Sequence, residues 1–367
     1  MADRPLAQLR ERRPEWADAG DRPMPGLLGV LAWATLSVAL LALVAANLVL
    51  GAFDVDVLRI VGLIFDKAGI DLGIEYTRRE EAVVWVIRLP RMVMAALVGA
   101  GLGVSGAALQ GLFRNPLADP GLIGVSSGAA FAVALSIVLG ITAWGAFVQP
   151  LAAFIGGLTL TFLIYAFARR GGRQQMATML LVGIAVNALL GAAISFILSF
   201  SDDAELRDIV FWTLGSLAGS IWSYVLAAAP LILLAVAVLI RQAGALNLLS
   251  LGDAEARHLG LRVQRSQLLI VAAAAMATGA GVAVAGVVGF VGLIAPHMVR
   301  LVVGPDHRRL MPASAIAGAI LVLGADLAAR TIVAPAELPL GVLTALIGTP
   351  VFLFLIDRAR RSLASGF

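Results

Sequence analysis

Eight stretches of this 367-residue chain contain no Asp, Glu, Lys or Arg: 23–53, 92–113, 120–168, 174–201, 209–240, 266–299, 310–325 and 338–356. A helix that crosses a bilayer needs about 20 apolar residues and excludes charge from its middle. The 120–168 run is long enough for two crossings, with Gly140 and the Gln149–Pro150 pair at the turn between them. Composition agrees with this pattern. The chain is 60% hydrophobic and 14% charged, where a soluble domain is roughly 45–50% and about 25%. A soluble globular protein and a disordered chain are both excluded. With no Cys, there is no disulfide framework, thiolate metal site or thiol nucleophile. The net charge of +4 does not point to nucleic acid, because the basic residues lie between apolar runs and not along one face.

The runs predict an all-α polytopic membrane protein with ten transmembrane helices, near 26–50, 82–110, 120–139, 147–168, 175–200, 221–240, 267–288, 291–304, 309–331 and 338–358. The eighth is short, rising only about 20 Å at about 1.5 Å per residue. Orientation follows from Lys and Arg in short loops. Arg4, Arg10, Arg12, Arg13 and Arg22 precede the first span, and further clusters are Arg169/Arg170/Arg173, Arg241/Arg257/Arg262/Arg265, Arg300/Arg308/Arg309 and Arg358/Arg360/Arg361. Ten spans place all of them, and both termini, on the cytoplasmic side. The 53–81 segment, net −3, is then external. The expected organisation is a cytoplasmic tail (1–25), an uncleaved membrane domain (26–359) and a second cytoplasmic tail (360–367).

Residues 99–106 read GAGLGVSG and residues 279–286 read GAGVAVAG. Five spans separate the second and seventh helices that carry them, so the copies should point in opposite directions. That is an inverted repeat with halves near 82–200 and 267–358, a common transporter plan. Small residues four apart, such as Gly99/Gly103 and Gly281/Ala285, let helix backbones approach closely.

Six strings carry a resemblance: RLPR (88–91), SGAALQGLFRNPLADPGLIGVSSGA (105–129), FWTLGSL (211–217), GFVGLIAPHMVRLVVGPDHR (289–308), ADLAAR (325–330) and ELPLGVLTALIGTPVFLFL (337–355). Together they resemble the permease subunits of type II ABC importers, which take up vitamin B12, haem and ferric siderophores. The resemblance implies a homodimer of ten-helix subunits in the bacterial inner membrane. Two cytoplasmic ATPase subunits would bind ATP-Mg, and a periplasmic binding protein would deliver the cargo. The chain has no G-x-x-x-x-G-K-[ST] loop, so any ATPase must be a separate subunit, and no cofactor is expected in this chain.

Four groups of residues follow. Arg88, Arg91 and Arg330 fall near outer helix ends and read either as membrane anchors or as a cationic rim. The resemblance makes them the dock for glutamates of the binding protein, with Asp326 holding Arg330 from four residues away. Asn115 and Leu117 lie in an inner loop stiffened by Pro116 and Pro120. The resemblance places part of a cytoplasmic gate there, completed by Gln175, Met176 and Ala177, although Gln-Met-Ala-Thr departs from the family's hydroxyl-rich versions. Residues 245–264 form the longest inner loop, expected as two short helices broken at Gly252 and Gly260. By resemblance this loop seats in the ATPase, with Leu248, Leu251, Leu259 and Leu261 as apolar contacts and Asp253, Glu255 and Arg257 at the rim. His258, His297 and His307 are poor candidates for haem ligands. An ion-coupled secondary transporter would need an ionisable group near the bilayer midplane, which the charge-free runs lack. An intramembrane enzyme would need a partnered His297. The RNPLADPGLIGVSSGAA run looks closest to the haem branch of the family.

Overall fold

The computed structural model describes residues 26–51, 53–170 and 173–364, so residues 1–25, expected as a cytoplasmic tail, and the final three residues lie outside the described residues. Its helices are α1 (Gly26–Val49), α2 (Val57–Lys67), α3 (Arg78–Phe113), α4 (Val125–Val138), α5 (Val148–Phe167), α6 (Met176–Leu198) and α7 (Asp203–Leu214). They continue as α8 (Trp222–Arg241), α9 (Ala243–Ser250), α10 (Asp253–His258), α11 (Val263–Ala285), α12 (Val291–Val303), α13 (His307–Thr331) and α14 (Leu340–Ala364). Short 3₁₀ turns occupy Pro120–Ile123 and Ile141–Trp144, and Arg169–Arg170 pairs with Arg173–Gln174 in a small hairpin.

Each of the ten expected crossings corresponds to a helix. Seven are long and apolar enough to span a membrane, and three are shorter apolar helices, α4, α12 and the Leu340–Phe354 part of α14. The backbone of α14 runs on to Ala364, past the expected start of a tail at residue 360. Two helices were not expected: α2, in the segment read as external, and α7, between the fifth and sixth expected crossings. Both are set up by local capping. The Asp56 carboxylate accepts the Leu58 N–H, and Asp202 with Glu205 forms a reciprocal capping box.

Helices α3 and α11 form the interior; in each, 72% of the most apolar window is buried. In α1 and α6 only 6% is, so these two present apolar surface outward. The glycines explain the packing of α3. A Cβ on Gly99 or Gly103 would collide with the backbone of Gly318 or Ser314 on α13, and one on Gly106 with Gly292 on α12. The second copy of the repeat is built differently. Gly279 has side chains of Phe154 and Val125 no nearer than 3.5 Å, and Gly286, at φ +67°, ends α11 where the first copy continues as helix. Helix α3 also carries a π-helical turn at Ala82–Arg88 just before Pro90. Pro90 cannot donate a backbone hydrogen bond and crowds the preceding turn, and widening that turn accommodates both effects.

Candidate functional site

At one end of the bundle the C-terminus of α1 meets the start of α3 and the end of α13. The last carbonyls of a helix lack partners within it and favour cations. Arg88 supplies one. It donates to the carbonyls of Leu48 at 2.6 Å and Val49 at 3.0 Å, and to that of Phe53. Arg330 supplies the second, donating to the Asn47 carbonyl at 2.7 Å and the Leu50 carbonyl at 2.9 Å. The Asn47 amide in turn donates to Leu43 and Leu323 carbonyls at 2.8 and 3.3 Å. Two arginines from distant helices thus cap α1.

Arg91 does something different. Its Nε donates to both Asp326 oxygens at 3.0 and 3.1 Å, and its two Nη atoms donate to the two Glu337 oxygens at 2.8 and 2.9 Å. Asp326 is therefore held by Arg91 across the α3–α13 contact. The i, i+4 ion pair with Arg330 is present but looser, with the Arg330 Nε 3.9 Å away and no hydrogen bond to Asp326. The physical reason is competition: the α1 carbonyls claim the Arg330 guanidinium, and Arg91 offers Asp326 its edge. Glu337, in the 332–339 loop, is held below the usual carboxylate range by the hydrogen bond from Arg91, against the opposing effect of burial. Arg88 and Arg91 are 5% and 7% exposed, and the Arg330 side chain 10%. The three cations are thus engaged within one chain. Asn47 and Glu337 were not singled out in the sequence, although the ELPLG string contained the latter.

At the opposite end, α3 stops at Arg114, a non-glycine residue at φ +49°. Asn115 N–H closes the helix end onto the Gln110 carbonyl at 3.1 Å, and Asn115 Oδ1 accepts the Leu117 N–H at 2.9 Å. Asn115 thus shapes the turn, and Leu117 is left 43% exposed. Gln175 caps the start of α6 and accepts the Thr178 hydroxyl at 2.9 Å; Met176 packs on the main core and Ala177 is exposed. Two residues that the sequence reading missed join the gate segments. The Asn187 amide on α6 donates to the Gly121 carbonyl at 3.0 Å, and Gly183 leaves room for the Leu122 carbonyl to press on the α6 backbone. An amide in mid-span of an otherwise apolar helix was the available signal.

The 245–264 segment contains two short helices, α9 and α10, turned at Gly252 (φ +122°) and Gly260 (φ +88°). Leu246 and Leu249 are buried, and Leu248 and Leu261 pack against the core, so these last two are not the free apolar contacts expected. Leu251 and Leu259, 60% and 61% exposed, remain outward. Asp253 also turns inward: Arg114 Nη2 donates to it at 2.7 Å and the Gln267 amide at 3.0 Å. Glu255 and Arg257 stay exposed. A second attachment joins α9 to α13. The Asn247 amide donates to Asp306 at 2.6 Å, and Asn247 Oδ1 accepts the His307 N–H at 3.0 Å. His307 is buried, His297 half-buried in α12, and His258 exposed.

The profile of the FecCD transport family matches residues 25–358. The hemin transport system permease protein HmuU of Yersinia pestis is 48% identical over 281 residues, 76% of this chain and 84% of that one. The cobalamin import system permease protein BtuC of Halobacterium salinarum is 48% identical over 285 residues, 77% of this chain and 76% of that one. An inward-facing structure of a metal-chelate type ABC transporter superposes with a TM-score of 0.76 at 32% identity, covering 89% of this chain and 99% of that one. The helix order, the apolar crossings and these similarities lead to one conclusion: the chain belongs to the FecCD transport family, as a multi-pass permease of an ABC importer that is not itself an enzyme and relies on a separate ATPase subunit.

Proposed function

We propose that two copies of this chain form the inner-membrane pathway of an importer that carries an iron-containing chelate, haem in the first place, from a periplasmic binding protein to the cytoplasm. The observation that carries this reading is the layout of the bundle's two ends. One end gathers three arginines, of which Arg91 and Arg330 meet Asp326, and Arg91 also Glu337. The other presents a short helix pair that exposes two leucines while fastened to the bundle at two points. Arg88, Arg91 and Arg330, with Asp326, would receive the acidic binding protein. Leu251 and Leu259, framed by Glu255 and Arg257, would seat in the ATPase. Asn115, Leu117 and Gln175–Ala177 would line the inner gate. Both termini would then be cytoplasmic. The hemin permease relative and the metal-chelate neighbour favour haem as cargo; the cobalamin permease relative, equally similar, makes cobalamin the second reading.

The test is uptake by vesicles that hold this chain with its ATPase and binding protein. ATP-dependent accumulation of haem that excess cyanocobalamin does not reduce is the expected result. Accumulation of cyanocobalamin or of a ferric siderophore in preference to haem overturns the cargo assignment.

A further inference from the structure

The external segment between α1 and α3 contains an amphipathic helix that nothing above explains. At about 100° per residue, nine of the eleven residues of α2 sort into three sectors, with Gly62 buried against Ile74 and Lys67 at the helix end. Ile60, Leu63 and Ile64 fall within one arc of about 100°. They pack with Val84 and against Leu48 and Val49 of α1 and Val83, Trp85 and Leu89 of α3. Arg59 and Asp66 lie together in a second sector. Arg59 forms an ion pair with Glu80, and Asp66, which keeps its negative charge, accepts a hydrogen bond from the Tyr76 hydroxyl. Val57, Leu58, Val61 and Phe65 form the third, again within about 100°. They are 54%, 67%, 37% and 42% exposed. Apart from its ends, the helix has one face on protein, one polar face and one bare apolar face.

Three such faces at about a third of a turn each are what a helix needs when it lies flat at a bilayer surface beside a membrane bundle. One side touches the protein, the top touches water and the underside touches acyl chains. The neighbours place α2 at that level. Its inner face packs on the last turn of α1 and the first turns of α3, where two crossing helices leave the membrane. Lys67 sits 5.9 Å above the Trp85 ring, and the Trp222 indole donates to the Trp85 carbonyl at 2.8 Å. Paired tryptophans at helix starts mark a membrane–water boundary. On the same first turns of α3, Val86 and Ile87 also stand outward, 52% and 54% exposed.

We infer that α2 is an interfacial anchor, whose Val57–Leu58–Val61–Phe65 face is buried among the lipids of the leaflet at which α1 ends and α3 begins. The occupant is lipid and neither a partner protein nor a second copy. The bare face itself carries no charge. Attachment therefore draws on apolar burial. The inference requires only that α1 and α3 cross the bilayer; it does not depend on the cargo or on the docking role of the arginines.

The natural absence of cysteine makes the test direct. Single-cysteine variants Leu58→Cys, Val61→Cys and Phe65→Cys, with Arg59→Cys and Asp66→Cys as references, carry a nitroxide in the full chain reconstituted in phosphatidylcholine vesicles. Labels at 58, 61 and 65 should collide with dissolved oxygen several-fold more often, relative to a water-soluble nickel chelate, than labels at 59 and 66. Greater accessibility to nickel at 58 and 65 overturns the inference by placing the face in water. Immobilised labels with spin–spin coupling overturn it in favour of a second copy. Labels that become immobile only on adding the binding protein overturn it in favour of that partner. The uptake assay reports separately on the cargo.

Discussion

Arg91 shows how one side chain can hold three elements together. It spans α3, α13 and the 332–339 loop, and its two carboxylates differ in burial: the Asp326 side chain is 1% exposed and that of Glu337 39%. Breaking a buried pair strands an uncompensated charge and costs about 3–5 kcal/mol, whereas an exposed pair is worth about 1 kcal/mol or less. Asp326→Asn should therefore lower the thermal stability of the reconstituted chain far more than Glu337→Gln, as read by the loss of folded protein on heating. Equal losses would mean that Arg91 does not discriminate between them. The docking role needs gentler variants than charge reversal. A glutamate at position 88 or 330 would face the α1 carbonyls and disturb folding. Arg88→Gln with Arg330→Gln keeps a donor toward those carbonyls and removes the charge. Binding-protein affinity should fall at low salt, with the difference fading as the Debye length drops below about 10 Å. Unchanged affinity at low salt would return both residues to capping alone. These partners were illegible in the sequence because they are set by helix packing: Arg91 and Glu337 are 246 positions apart.

The ten crossings were legible as elements because the bilayer imposes a length and excludes charge, and both constraints are written in the charge-free runs. Helices α2 and α7 were not, since their signal is a cap followed by only 11 or 12 residues. The π-turn of α3 was hidden for another reason: Pro90 signals a disturbance but not which way the helix resolves it. At the α9–α10 pair, the sequence gives four leucines of equal standing, and the fold divides them. Leu251→Asp with Leu259→Asp should leave the chain folded and release the ATPase, because both side chains are exposed and would be buried only by the partner. Leu246→Asp should instead prevent folding. Co-purification of the double variant with wild-type amounts of ATPase would show that the contact lies elsewhere. The repeat glycines divide in a similar way. Gly99→Leu should abolish the folded permease, since its Cβ has no space against Gly318, whereas Gly279→Ala meets only ordinary contacts. Comparable yields of the two variants in membranes would contradict that asymmetry.

Under the proposed function, the molecule as a whole would separate recognition, passage and energy supply. The purified chain should show no ATP hydrolysis, measured as phosphate release after exhaustive removal of contaminating ATPases; turnover that tracks the chain through purification would refute this. The way α3 meets α13 has a mechanical consequence for such a machine. At Gly99–Gly318 and Gly103–Ser314 one main chain rests on another with no side chain between them. Helices that touch through side chains slide by exchanging rotamers, but bare backbone has no rotamer to exchange. The two helices must therefore turn together, as an axle does. The movement that a transport cycle needs would then fall to non-helical links around them, the turn between Arg114 and Gly124 and the stretch from Gly286 to Phe290.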